Sequence, residues 1–121
     1  MSNELKNRTK LFVLSVIQLV RKLPSNELNF IMAKQILRSA TSTGANYRSA
    51  LRGKSTADFI AKLSIAEEEA DETCYWLELL IESKIYCNID VEEILMEARQ
   101  IAAILTASCK TAKSKILIKG K

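Results

Sequence analysis

The residue types able to do chemistry in this chain fall into two stripes. Glu67, Asp71, Glu78 and Glu82 recur at steps of 4, 7 and 4, which places four carboxylates within about 60° on one side of a helix. A stripe of this kind could bind a divalent cation or serve acid–base work. The steps instead spread the groups along the axis and do not converge them on one ion, and a solvated or salt-bridged face accounts for them as well. The second stripe is basic. Lys34, Arg38, Arg48 and Arg52 project within about 40° of one direction on a helix, and Lys54 and Lys62 extend the patch. Its ends lie ~27 Å apart at ~1.5 Å per residue, a span that suits successive phosphates of a nucleic-acid backbone. The same residues could instead pair with the acidic stripe, within or between subunits. Such pairs add roughly 0–1 kcal/mol each but can set the register of an assembly. Tyr47 is placed either to stack on a base or to pack in the core.

What is missing narrows the chemistry further. The chain contains no histidine. That excludes the Glu-x-x-His motifs of di-iron bundles, Ser–His and Cys–His nucleophile pairs, and a ribonuclease that works Arg with His. Cys74, Cys87 and Cys109 are odd in number with no CxxC spacing, the pattern of reduced, partly buried thiols in a cytosolic protein. Zinc would need cysteines or carboxylates at spacings not present. Gly44, Gly53 and Gly120 are isolated, so no glycine-rich phosphate loop exists. The expectation is a protein that is not an enzyme and carries no cofactor and no metal.

Four helical patterns must position these stripes. At residues 4–23, Phe12, Val16, Leu19, Val20 and Leu23 recur at helical spacing, and Pro24 stops the run, with Ser25 or Asn26 as the next cap. Residues 27–51 carry a heptad seam of Phe30, Ala33, Leu37, Ala40, Gly44, Tyr47 and Leu51. Gly44 allows close packing or a kink, and Gly53 reads as a left-handed C-cap. Ser55 and Asp58 form a capping-box variant ahead of a helix at 56–84, with Phe59, Leu63, Ala66, Ala70, Thr73, Leu77 and Leu80 on its seam and Trp76 beside it, its N–H toward water. Asp90 and Glu93 form a second box before a helix at 91–115, where Ile94, Ala98, Ile101, Leu105, Ser108 and Ala112 share a face. The basic tail at 113–121 reads as fraying.

These elements predict one domain over residues 1–121, all-α, an antiparallel up-and-down four-helix bundle. Apolar residues make up 48% of the 121, with only 3 Gly and 1 Pro, which favours long helices over a loop-rich fold. Ile31, Ile36, Ile60, Ile65, Leu79, Ile81 and Ile104 lie off the narrowest stripes, a surplus that points to self-association, unless wide stripes are simply buried within one copy. The apolar stretch 11–20 is too short to span a bilayer and lacks a cleavage site, so the expectation is a cytoplasmic protein with no membrane contact. Charge is segregated: residues 1–62 hold eleven basic and three acidic residues (+8), residues 63–97 one and eleven (−10), and residues 98–121 six and none (+6). Segregation on this scale bears on partners.

A resemblance follows from the blocks Gln35-Ile36-Leu37-Arg38-Ser39-Ala40-Thr41-Ser42, Gly44-Ala45-Asn46-Tyr47, Asp58-Phe59-Ile60-Ala61-Lys62-Leu63, Glu69-Ala70-Asp71-Glu72-Thr73 and Tyr75-Trp76-Leu77. They resemble the four-helix bundle protein family, also called 23S rRNA intervening-sequence proteins or S23 ribosomal proteins. The resemblance implies a bacterial, cytoplasmic bundle that assembles, as homopentamers in related proteins. Some relatives are encoded inside insertions of the large ribosomal RNA gene. Another related group serves diversity-generating retroelements as a basic pentameric partner of reverse transcriptase and nucleic acid. No catalytic residues come with the family. Arg38, Ser39, Ser42 and Asn46 match its helix-two motif, and Asp58, Phe59, Lys62, Glu69, Glu72 and Trp76 its helix-three motif. Glu67-Glu68-Glu69 departs from it, since relatives often carry a Lys before the Glu. The extra acid shifts the nucleic-acid reading onto helix two and the tail.

The sequence therefore supports a homo-oligomeric bundle that binds RNA, DNA or an enzyme acting on them, such as a reverse transcriptase. The alternative is a protein–protein scaffold that uses its charge blocks for subunit pairing alone.

Overall fold

Three of the four helices begin where a side chain accepts from one of the first amides. The computed structural model describes the backbone of residues 2–86 and 88–119 and the side chains of 3–86 and 88–116; Cys87 and the last residues of the basic tail lie outside them. α1 runs Ser2–Lys22, α2 Glu27–Ala50, α3 Thr56–Glu82 and α4 Ile89–Lys119. The Asn26 side chain caps α2 by accepting from the Asn29 amide at 2.8 Å, and the Asn29 side chain donates back to the Pro24 carbonyl at 2.7 Å. Ser55 caps α3, its hydroxyl accepting from the Asp58 amide at 3.0 Å. Asp58 does not complete the box on Ser55: its carboxylate accepts from the Lys54 amide at 3.2 Å. The expected box at Asp90 is displaced. The Asn88 side chain takes the capping role, accepting from the Asp90 amide at 3.2 Å, and Asp90 becomes a first-turn acid of α4, where the helix dipole favours it.

Two turn residues behave differently from the sequence expectation. No described glycine has positive φ, so Gly53 is not a left-handed cap; Lys84 instead takes that conformation at φ 61 just past α3. What Gly53 supplies is space. A Cβ there would lie 3.0 Å from the Phe59 amide nitrogen and 3.1 Å from the Ala50 carbonyl. α4 also continues past 115 to Lys119, where a frayed tail was expected.

Consecutive helices pack side by side, α1 on α2, α2 on α3 and α3 on α4, and α1 meets α4 to close the square. With such short connections the neighbours are antiparallel, giving an up-down-up-down bundle without strands among the described residues. α2–α3 and α3–α4 are the most extensive pairs and α1–α4 the least. The core includes Phe12, Val16 and Leu19 of α1, Leu63, Leu77 and Leu80 of α3, and Val91, Ile101 and Leu105 of α4. A fully buried side chain of this type contributes roughly 1.5–3 kcal/mol.

The α3 seam is where its spacing places it, with Phe59 half-buried at its end. α2 is not. Its buried face is Asn29, Met32, Ile36, Ser39, Ala40, Thr43, Tyr47 and Ala50, rotated by about 80° from the heptad seam at 3.6 residues per turn. Phe30, the first seam residue, is 70% exposed, and Ile36, read as surplus, is fully buried. The reason lies in the hydroxyls. Ser39 and Thr43 bond carbonyls of their own helix, Gln35 at 3.0 Å and Ser39 at 2.8 Å, so they can be buried without stranded donors. The apolar seam turns to the flank beside α1, where a Cβ on Gly44 would come 3.4 Å from Val13 Cγ2. Of the other surplus residues, Ile31 and Ile65 are exposed, while Leu79, Ile81 and Ile104 pack half-buried against the core.

These environments separate the two internal glycines. Gly44→Ala meets the Val13 methyl at 3.4 Å and the Thr9 carbonyl at 3.9 Å, both ordinary contacts, and gains helix propensity, so it leaves stability unchanged or raises it by up to about 1 kcal/mol. Gly53→Ala drives a methyl into backbone and lowers stability by about 1–3 kcal/mol. Chemical denaturation of the two variants reads the contrast.

Candidate nucleic-acid interface

The turn between α2 and α3 gathers four of the six candidate basic residues. Arg48 stands in the last turn of α2, Arg52 and Lys54 in the connection, and Lys62 two turns into α3. With Ala45, Ser49 and Asp58 they line a surface depression of ≈ 320 Å³. Arg48, Arg52 and Lys54 are exposed. Lys62 is held lower, its Nζ donating to Ser49 Oγ at 3.4 Å and lying 3.7 Å from Asp58 Oδ1. One carboxylate among four cations leaves a positive depression open to solvent.

The remaining two lie elsewhere. Lys34 is exposed on α2 toward its N-terminal half. Arg38 is engaged by α3: its guanidinium donates to Glu69 at 2.9 Å and also to Glu72. The hydrogen bond it donates to Glu72 and the neighbouring Glu69 charge raise its pKa. Arg38 therefore takes the ion-pairing alternative, although its partners are not the acidic stripe. Beneath it, Thr73 Oγ1 lies 2.9 Å from Ser39 Oγ, both residues fully buried. Each hydroxyl also reaches a carbonyl of its own helix, Ser39 that of Gln35 at 3.0 Å and Thr73 that of Glu69 at 2.7 Å, so whichever donates across the junction, the other donates to its own helix. The Asn46 side chain donates to Ser42 O at 2.9 Å and Ser42 Oγ at 3.0 Å. Much of the helix-two motif thus serves to brace α2 and join it to α3. Tyr47 is buried in the core and its phenol pKa is raised by desolvation, so it is not a base-stacking platform.

The antiparallel order carries charge to opposite ends. α4 runs toward the α2–α3 turn, bringing Lys110, Lys113 and Lys115 to the end that holds Arg48, Arg52 and Lys54. The other end holds Glu78 and Glu82 of α3 with Asp90, Glu92 and Glu93 of α4. Sequence reading identified the blocks but not this axial separation.

The acidic stripe does not converge. Glu78 pairs with Arg99 at 3.3 Å, and no group of three or more metal-ligating residues is arranged to hold an ion among the described residues. Cys74 and Cys109 are free and buried. Burial, with Asp71 and Glu78 nearby, pushes the Cys74 thiol up to about 11, and burial likewise raises Cys109. Trp76 departs from expectation: its Nε1 is buried without a hydrogen-bond partner among the described residues, and its ring meets Tyr75 edge-on with centroids 5.1 Å apart. No described helix is long and apolar enough to cross a membrane.

A family model described as 23S rRNA-intervening sequence protein matches residues 1–107. One similar solved structure is a crystal structure of a protein with unknown function from the S23 ribosomal protein family of Bacteroides thetaiotaomicron VPI-5482. It is 41% identical, covers 90% of this chain and 97% of that chain, and superposes with a TM-score of 0.82. No curated protein matches the chain.

Two outcomes follow from the bracing residues and the thiol. Thr73→Val removes a donor beneath Arg38 and lowers stability by about 1–3 kcal/mol, whereas Arg38→Ala, which removes an exposed pair, costs about 0–1 kcal/mol; urea unfolding distinguishes them. The Cys74 thiol deprotonates at higher pH folded than unfolded, so its contribution is intact below pH 9 and declines as pH rises toward 11. Thermal midpoints of Cys74→Ala fall less steeply over that window than those of the parent.

Proposed function

The chain belongs to the 23S rRNA-intervening sequence protein family, and on that premise we propose that it acts without catalysis, as a cytoplasmic, self-associating bundle that grips nucleic acid through its basic end. The observation that carries this reading is the open depression where Arg48, Arg52, Lys54 and Lys62 meet a single acid, Asp58. A cluster of cations that is not neutralised from within suits phosphate contacts, which give affinity without sequence reading. The lysines of α4 at the same end enlarge the field.

Self-association draws support from apolar side chains left in solvent: Leu11, Leu14, Phe30, Ile31 and Tyr75. Repeating one weak basic patch in an assembly multiplies avidity without new contacts. A pentamer, as the resemblance implies, is the assembly we assign. The partner is RNA or DNA, alone or with an enzyme that handles it, such as a reverse transcriptase.

The engagement of Arg38 by Glu69 and Glu72 favours one second reading, a scaffold whose charges serve protein contacts only.

The test is filter binding of a labelled structured RNA and a mixed-sequence DNA duplex over a salt series. Wild-type affinity falls steeply with salt, and Arg48→Glu/Arg52→Glu lowers it about tenfold or more while flattening the duplex salt slope by about 2. Equal, negligible binding by both proteins overturns nucleic-acid binding and leaves the scaffold. Light scattering that finds a monomer across concentrations removes self-association.

A further inference from the structure

We propose that the outward face of α4 at the α3–α4 turn is a docking site for a different protein, and that its occupant is a cationic amphipathic helix. This goes beyond nucleic-acid binding by giving the acidic end of the bundle a partner of its own.

The face has an apolar centre and acidic margins. Ile89, Glu92, Glu93 and Met96 stand at i, i+3, i+4 and i+7 of α4, so they share one side of the helix. At 3.6 residues per turn, Ile89 and Met96 fall along the middle of that side, and Glu92 and Glu93 fall to either hand of it. The side points away from the core residues Val91, Ala98 and Ile101. It is bare, with Ile89 62% and Met96 60% exposed. Together with Glu82 and half-buried Ile81 of α3, these residues line a groove of ≈ 430 Å³.

The charge of the groove is not neutralised from within. Glu78 pairs with Arg99 at 3.3 Å, which is the one cation among the described lining residues. Glu82, Glu92 and Glu93 form no ion pair among the described residues. Apolar side chains in water beside unpaired carboxylates call for an occupant that brings both an apolar stripe and positive charge. A helix with apolar residues at i, i+3, i+4 and i+7 between lysines or arginines brings both, in the helix-in-groove mode of recognition. Met96 suits such an occupant, because its flexible thioether adapts to the side chains laid on it. Nucleic acid is repelled, since phosphates meet the glutamates with like charge. A metal ion finds no group of three ligands arranged to hold it among the described residues. The choice of another protein over a second copy rests on the nucleic-acid reading above, in which the lysines that a copy would offer lie at its basic end, among the phosphates.

The test is fluorescence anisotropy of a labelled synthetic peptide with the full chain at physiological salt. The peptide spans about five helical turns, roughly 18 residues, with leucines on one face and lysines on the other. Its controls are a scrambled peptide of the same composition and a version with glutamate for every lysine. Wild type binds the amphipathic lysine peptide about tenfold or more tightly than either control. Ile89→Ser/Met96→Ser and Glu82→Gln/Glu92→Gln each weaken that binding about tenfold or more, while Glu68→Gln, an exposed acid outside the groove, leaves it unchanged. Far-UV circular dichroism confirms that the helices persist in all three. A scrambled peptide that binds as well as the amphipathic one, or groove variants that bind like wild type, overturn the proposal. Wild-type oligomers in sedimentation velocity that dissociate in Ile89→Ser/Met96→Ser, with no peptide held by wild type, give the groove to a second copy and overturn it too. A wild type that holds the peptide but neither RNA nor DNA overturns the nucleic-acid reading and leaves the docking site standing; one that holds RNA or DNA but no peptide does the reverse.

Discussion

The junction of α2 with α3 is the constraint on which the rest of the molecule depends. At its centre Thr73 and Ser39 meet hydroxyl to hydroxyl, fully buried. Each hydroxyl also reaches a carbonyl of its own helix, Ser39 that of Gln35 and Thr73 that of Glu69, so what the register adds is the bond between them, which sliding one helix past the other would break. Arg38 lies over the junction and reaches Glu69 and Glu72 on successive turns of α3. α3 also packs along α4, so its placement on α2 sets the position of the remaining pair.

Two ion pairs bridge α1 and α4. Arg8 forms a two-pronged bond to Glu97 at 2.7 and 2.6 Å and also reaches Gln100, and Lys22 pairs with Asp90 at 2.8 Å. Each exposed pair is worth about 0–1 kcal/mol, but the fork geometry of Arg8 selects one orientation. These bonds lie on the weakest of the four helix contacts and close the square. The same connectivity sets basic and acidic groups at opposite ends, leaving a bundle with an electrostatic axis and a different kind of partner suited to each end.

Legibility in the sequence varied with how apolar the buried face is. α3 buries Leu63, Ala66, Ala70, Leu77 and Leu80, an unbroken stripe whose period identifies it. α2 buries Ser39 and Thr43, which an apolar count passes over, so its apolar seam lies about 80° away from its buried face. The same offset made Phe30 a core residue and Ile36 a surplus one. For the candidate site, the cluster of Arg48, Arg52, Lys54 and Lys62 was legible because a short turn keeps near neighbours in sequence near in space. Spacing leaves open whether Arg38 is paired, because its partners are 31 and 34 residues away.

Local physics settled the helices in this protein: apolar period, Asn26 and Ser55 as caps, Pro24 as a stop, and the absence of histidine that removes whole classes of chemistry. Those signals act within a few residues, so they survive without a partner segment. The tertiary structure alone decided which face of α2 is buried, which arginine is occupied and which cations stay open, and that charge divides along the bundle axis. Each of these depends on which remote turn of another helix lies opposite, and opposition is a property of packing.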